Sequence, residues 1–243
     1  MRSTLLMLFI FLSGTLSHAA ERIPWVSIFL KNEQRPILMR LFDSAMDRQF
    51  VDLFNQEVET SLHLEYQEGT MDALLQSHAP IAVLHYDILL QPQFTEAEKQ
   101  AMLQFFERGG FLLIFENGYG YDSPELRKNV PRPASSFFLQ ELPQRNPLFR
   151  AERPGVEHGI YHQMYNVVLP KDILKERTDN RYSPDGYLIT YRNQPAAFFV
   201  RFHGWWDEEN SVFIGVPPPY GEPNWIPEGY QMLLNLFVYA TSH

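Results

Sequence analysis

His85, Tyr86 and Asp87 close one apolar run of the chain, and Glu116 and Asn117 close the next. An imidazole beside carboxylates can serve general acid–base transfer or hold a divalent metal ion. Glu116, His85 and Asp87 are therefore the candidate catalytic group, with Tyr86 and Asn117 beside them as binding residues. Residues of these types would equally cap buried strands and satisfy loop amides.

Two other groups carry chemistry. His158 and His162 are four residues apart, so a helix through them would present both imidazoles on one face as a metal pair, with Glu157 adjacent. Trp205 and Trp206 precede three acids, and Tyr220 and Trp225 follow in a Pro-rich loop. Aromatic side chains in such a setting suit a sugar- or peptide-binding face, because they bury area while fixing few torsions. Packing of a hairpin end over the sheet would use the same residues.

Other chemistries lack their residues. The chain has no Cys, which removes thiol catalysis, thiolate metal sites and disulfides. There is no G-x-S-x-G elbow for serine catalysis, and no G-x-G-x-x-G or P-loop pattern follows a strand. No nucleotide cofactor is indicated, and a divalent metal is the one cofactor class these residues suggest.

The elements that would position these groups alternate along the first half of the chain. Residues 25–30 (WVSIFL) read as a first strand, and residues 47–58 as a helix with Phe50, Leu53, Phe54 and Val58 inward. Residues 61–66 alternate like a half-buried edge strand, 71–77 read as a short helix, and 81–85 (IAVLH) as a central strand. Thr95 and Glu98 form a capping-box pattern before a helix carrying Met102, Phe105 and Phe106. Gly109 suits its left-handed C-terminal cap. Residues 111–115 (FLLIF) are apolar on both faces and read as a buried parallel strand.

After Gly120 the pattern loosens. Residues 121–133 read as loop, 135–142 as a helical turn, and 146–165 as irregular. Residues 187–191 and 196–202 form a hairpin about Asn193-Gln194, 211–216 another strand, and 228–241 a closing helix. Alternating strands and helices imply a three-layer α/β/α sandwich with a mostly parallel sheet. Right-handed crossovers then bring the ends of 81–85 and 111–115 to one edge, where open α/β sheets bind ligands.

The ends and composition bound the setting. Met1-Arg2, the apolar run 5–12 and Ser17-His18-Ala19 have the layout of a secretory signal peptide cut near Ala19. The apolar run falls short of the about 20 residues a spanning helix needs. Residues 20–243 then form one domain that is periplasmic or secreted, with no membrane span after cleavage. A formal charge of −9 disfavours nucleic acid as a partner. Another envelope protein, a small molecule or a glycan remains.

The motif order carries a resemblance. A strand ending near a His is followed by TEAE, ERGGFLLI, NPLFR, GYLITYRNQPAAFFVRF and a terminal LLNLFVYAT. Together they resemble bacterial proteins of the domain-of-unknown-function family numbered 4159. The resemblance implies a fold like that of the class I glutamine amidotransferases. In those enzymes the strand after the glycine pair runs into an elbow carrying a nucleophilic Cys. Here Glu116 stands at that position, and a carboxylate there cannot perform thiol acyl transfer. The missing nucleophile, the aromatic loops and the leader pattern together lead to the expectation of an exported binding or scaffolding module of amidotransferase-like fold. The alternative is a metal-dependent hydrolase of an envelope glycan or peptide, with His85, Asp87 and Glu116, or His158 and His162, as ligands or base.

Overall fold

The computed structural model describes residues 21–30, 37–87, 93–117, 136–155, 157–167, 186–201 and 227–242. The expected leader, the expected strand at 211–216, and Trp205, Trp206, Tyr220 and Trp225 lie outside the described residues. So do the side chains of Asp87, Glu116 and Asn117.

Strand β1 (Glu21–Ile28) leads through helix α1 (Ile37–Glu57) to β2 (Leu62–Gly69), and helix α2 (Met71–Gln76) leads on to β3 (Ile81–Asp87). Helix α3 (Glu96–Glu107) and β4 (Phe111–Asn117) complete this half. The second half holds a π-helical turn (Phe137–Glu141) continued by α4 (Leu142–Arg145), then β5 (Phe149–Glu152) and a 3₁₀ turn (Gly159–Tyr161). Strands β6 (Tyr187–Tyr191) and β7 (Gln194–Arg201) and helix α5 (Pro227–Ser242) follow. No described helix is long and apolar enough to cross a membrane.

The seven described strands form one sheet in the order β2-β1-β3-β4-β7-β6-β5. The pairs from β2 to β7 are parallel, and β7-β6 and β6-β5 are antiparallel. This is a mostly parallel α/β sheet with the expected hairpin built into it. Alternation along the strands divides the core. Trp25, Val83, Phe111, Leu113 and Phe115 pack with α1 and α5 on one face. Val26, Ala82, Leu84, Leu112 and Ile114 pack with α2, α3 and the π turn on the other. Each fully buried Leu or Phe contributes about 1.5–3 kcal/mol. This two-sided burial is why β3 and β4 read as continuous apolar runs.

Local chemistry sets the boundaries. At α3, the Glu98 amide donates to Thr95 Oγ1 at 3.2 Å, and the Thr95 amide donates to Glu98 Oε2 at 2.8 Å. Gly109 takes φ 83°, the left-handed turn into β4. At the outer edge, Asn55 of α1 clamps β2. Its Nδ2 donates to the Leu64 carbonyl at 2.9 Å and its Oδ1 accepts from the Leu64 amide at 2.9 Å. Groups that another strand would pair with are thereby occupied.

Three expectations change. Helix α1 begins at Ile37, ten residues before the predicted 47. The hairpin turn is Arg192-Asn193, with φ 52° and 65°, one residue earlier than expected, as a two-residue turn with both positions left-handed. The stretch taken as irregular contains β5, which pairs with β6 from Phe149↔Tyr191 to Glu152↔Leu188.

Asn235 of α5 is fully buried and docks the 164–165 segment. Its Oδ1 accepts from the amides of Met164 at 2.8 Å and Tyr165 at 3.0 Å, and its Nδ2 donates to the Tyr165 carbonyl at 2.9 Å. Truncation leaves the Met164 and Tyr165 amides and the Tyr165 carbonyl without these part-buried bonds. Asn235→Ala is expected to lower stability by about 2–3 kcal/mol in urea denaturation. A change within about 0.5 kcal/mol, the usual range for neutral surface positions, would show that the segment is held otherwise.

Candidate functional site

Most buried polar side chains among the described residues gather at one place. Among the described residues the buried polar side chains are Ser27, Asp43, Ser44, Asp47, His85 and Asn235. All but Asn235 meet where β1, β3 and α1 converge. Strand β1 continues through α1 to β2 on one side, while β3 lies on its other side. That reversal is the topological switch point, and the carboxyl ends there frame the crevice that open α/β sheets use for ligands.

Strand alternation puts Ser27 of β1 and His85 of β3 on the face covered by α1. Helix α1 places Asp43 and Asp47 one turn apart above them, with Ser44 between. Ser27 Oγ donates to Asp47 Oδ2, and His85 Nε2 lies 2.7 Å from the same oxygen. The other ring nitrogen, Nδ1, faces Asp43 Oδ2 at 3.7 Å. Phe29 and Phe115 flank the imidazole, with centroids at 5.8 and 5.6 Å and interplanar angles of 12° and 21°. His85 thus has carboxylates at both nitrogens and an aromatic ring on each side.

The group reaches the surface along β2. Tyr66 donates to Glu68 Oε1 at 3.0 Å. Arg48 of α1 donates to that same oxygen at 3.1 Å and lies over the Tyr66 ring at 4.3 Å. Arg40 sits 3.7 Å from Glu68 Oε2 and stacks over Phe29 at 4.6 Å. Burial, followed by the negative charge of Asp47, pushes the Tyr66 hydroxyl up to about 12, with the Ser44 and Ser27 hydroxyls acting in the opposite direction. Burial pushes the Glu68 carboxyl up, but hydrogen bonds from Arg48 and Tyr66 outweigh it and hold the group below its ordinary value.

This arrangement is not a nucleophilic triad. In a triad the imidazole bridges hydroxyl and carboxylate, so that it can take the hydroxyl proton. Here Asp47 bridges Ser27 and His85, and Ser27 is committed to the carboxylate. Nor do the three groups fit around one cation. Asp43 and Asp47 lie against opposite nitrogens of the ring, and a Nε2–Oδ2 separation of 2.7 Å is that of a hydrogen bond. Among the described residues no three His, Asp or Glu side chains are gathered to hold a metal ion.

The expected residues fall as follows. His85 is at the carboxyl edge, and the register sets Tyr86 beside Glu116 and Asp87 beside Asn117 as parallel neighbours. His85 itself pairs with Phe115, and its described polar partners are Asp47 and Asp43 rather than Glu116. Tyr86 is fully buried on the opposite face, packed on Phe94 at 5.0 Å, which is a core position. For His158 and His162 the helix is not formed. They cap a single 3₁₀ turn, and His158 Nδ1 accepts from the Ile160 amide at 3.2 Å. Their spacing therefore does not align them on a helical face.

Ser27, Asp43, Ser44, Asp47, Tyr66 and Glu68 were missed. A signal for the α1 residues exists in the sequence: Arg40, Asp43, Ser44, Asp47 and Arg48 repeat at helical spacing ahead of the apolar stripe. Tyr66 and Glu68 share a strand face by alternation.

The raised Tyr66 hydroxyl makes an alkaline prediction. A protonated form favoured in the folded state supplies stability that is complete below the ordinary value of 10.0 and lost as pH rises through about 12. Urea midpoints followed across that window should fall more steeply for the wild type than for Tyr66→Phe. Parallel declines would show that Tyr66 is not the responsible group.

Protein-family models give no match to the chain, and neither do the curated proteins.

Proposed function

We propose that this chain is an exported binding or scaffolding module of amidotransferase-like fold without thiol chemistry, working from the carboxyl edge of its parallel sheet. One observation carries the reading. Among the described residues every buried polar side chain but Asn235 converges on the β1–β3 switch point, while the Ser27 hydroxyl there is bound to a carboxylate and not to the imidazole. Such a site offers polar recognition with no activated nucleophile. The GG-turn into β4 and the parallel β2-β1-β3-β4 order support the amidotransferase-like comparison. The leader pattern of residues 1–19 supports export.

The second reading, a metal-dependent hydrolase of an envelope glycan or peptide, draws on the carboxylates around His85. Their placement at opposite ring nitrogens weighs against it.

Elemental analysis of the purified chain from Ala20, made without a metal-binding tag, separates the two. The binding reading expects no stoichiometric metal, before or after incubation with zinc or manganese. One ion per chain, lost in His85→Ala, would replace it with the hydrolase.

A further inference from the structure

We propose that the outer edge of β5 pairs with the same edge of a second copy of this chain, antiparallel about a two-fold axis at Ala151. Strand β5 ends the seven-stranded sheet, and among the described residues no strand lies on its outer side. Antiparallel pairing with β6 uses alternate residues. The Arg192 amide donates to the Leu148 carbonyl at 3.0 Å, so Leu148 turns its backbone toward the β6 side, as Arg150 and Glu152 do by alternation. Phe149 and Ala151 therefore direct their amides and carbonyls outward. The Phe149 amide is taken by the Asn146 carbonyl at 3.0 Å, which leaves the Ala151 amide and carbonyl at the middle of the edge. The opposite edge of the sheet is treated differently. There Asn55 occupies the amide and carbonyl of Leu64 on β2. Among the described residues, the fold thus blocks one edge with a side chain and leaves the other open.

The side chains select the partner. Arg150 and Glu152 are exposed and share the face of the strand that Leu148 occupies, since all three alternate with buried Phe149. Neither makes an ion pair among the described residues. With Ala151 opposite the partner's Ala151, Arg150 stands opposite the partner's Glu152, and Glu152 opposite the partner's Arg150. Each Ala151 amide then donates to the other Ala151 carbonyl. The neighbouring registers that keep outward residues opposite one another set Arg150 against Arg150 or Glu152 against Glu152, and like charges directly opposite are unfavourable. Leu148, 45% exposed, comes opposite the partner's Pro154, so the same register covers an exposed apolar side chain. A second copy supplies this reciprocal pattern by symmetry, because a two-fold interface uses the same patch on both sides.

The pairing has a functional consequence. Three strands separate β5 from β3, so the contact does not involve the polar cluster at the switch point. Strand β5 runs antiparallel to β6 and so parallel to β7, β4 and β3. Antiparallel contact between two β5 strands therefore turns the two carboxyl edges in opposite directions. The pair joins two sheets into one and offers two copies of the carboxyl-edge crevice on opposite sides, which is a bivalent arrangement. The contact is short, one four-residue strand from each copy, and belongs with weak associations. It depends on the β5 edge and stands or falls separately from the binding reading.

The test is sedimentation velocity of the chain from Ala20, loaded from about 1 µM to about 1 mM to span weak association. The wild type is expected to pass from monomer to dimer across that series. Arg150→Glu and Glu152→Arg each set like charges opposite one another on both sides of the axis. Each variant alone is expected to associate on the order of ten-fold more weakly. Mixed in equal amounts, the two variants restore opposite charges at every position and are expected to dimerise as the wild type does, which also shows that both are folded. Ala151→Pro removes the outward amide without touching a bond to β6, and it too is expected to weaken the dimer. A wild type that stays monomeric throughout would overturn the proposal. So would a dimer of undiminished strength in Arg150→Glu, or a mixture no more associated than its two components.

Discussion

One carboxylate oxygen joins three elements at the centre of this fold. Asp47 Oδ2 accepts from Ser27 of β1 and meets His85 of β3, and the residue belongs to α1. A carboxylate taken out of water costs several kcal/mol unless its partners replace the lost hydration. Here a hydroxyl and an imidazole N–H do so, and charge-assisted bonds of that kind contribute about 1.5–3 kcal/mol each. The helix cannot slide or rotate on the sheet without uncovering this charge. The register of α1 over the switch point is therefore set by a polar contact, whereas its remaining turns are held by Phe50, Phe54 and their apolar neighbours.

The surroundings follow from that constraint. Asp43 falls one turn before Asp47 and so reaches the other nitrogen of the same ring. The imidazole lies between Phe29, the residue that follows β1, and Phe115, its register partner on β4. Arg40 and Arg48 share the helical face of the two acids and bracket Glu68 where the cluster meets solvent. A helix face that is apolar at its C-terminal half and ionisable at its N-terminal half is thus matched to a sheet whose core ends at its carboxyl edge.

Much of this architecture is legible in the chain. The α3–β4 unit is marked at each boundary by a chemical device: a capping box, a left-handed glycine and a strand apolar on both faces. His85 is readable as a carboxyl-edge residue because crossover handedness fixes where β3 ends. Its partner is not readable from neighbouring strands. The carboxylates seen beside it, Asp47 and Asp43, come from α1, with Asp47 38 residues earlier, whereas the side chain of the expected Glu116 lies outside the described residues. In the first ten residues of α1 the apolar period is interrupted by Asp43 and Ser44, which serve the site. Exposed Leu41 obscures the period further. Strand β5 is only four residues long, too short for alternation to show. The paired histidines illustrate the opposite error, since a four-residue spacing has meaning only where a helix exists.

A double-mutant cycle on Asp47 and His85 tests the central claim most directly. Asp47→Asn, His85→Asn and the double variant would be compared by chemical denaturation at neutral pH. If the carboxylate–imidazole contact fixes α1 on the switch point, the two losses should be non-additive by at least about 1 kcal/mol. Losses that add within about 0.5 kcal/mol would mean that the residues act independently, and the apolar contacts alone would then set the position of α1.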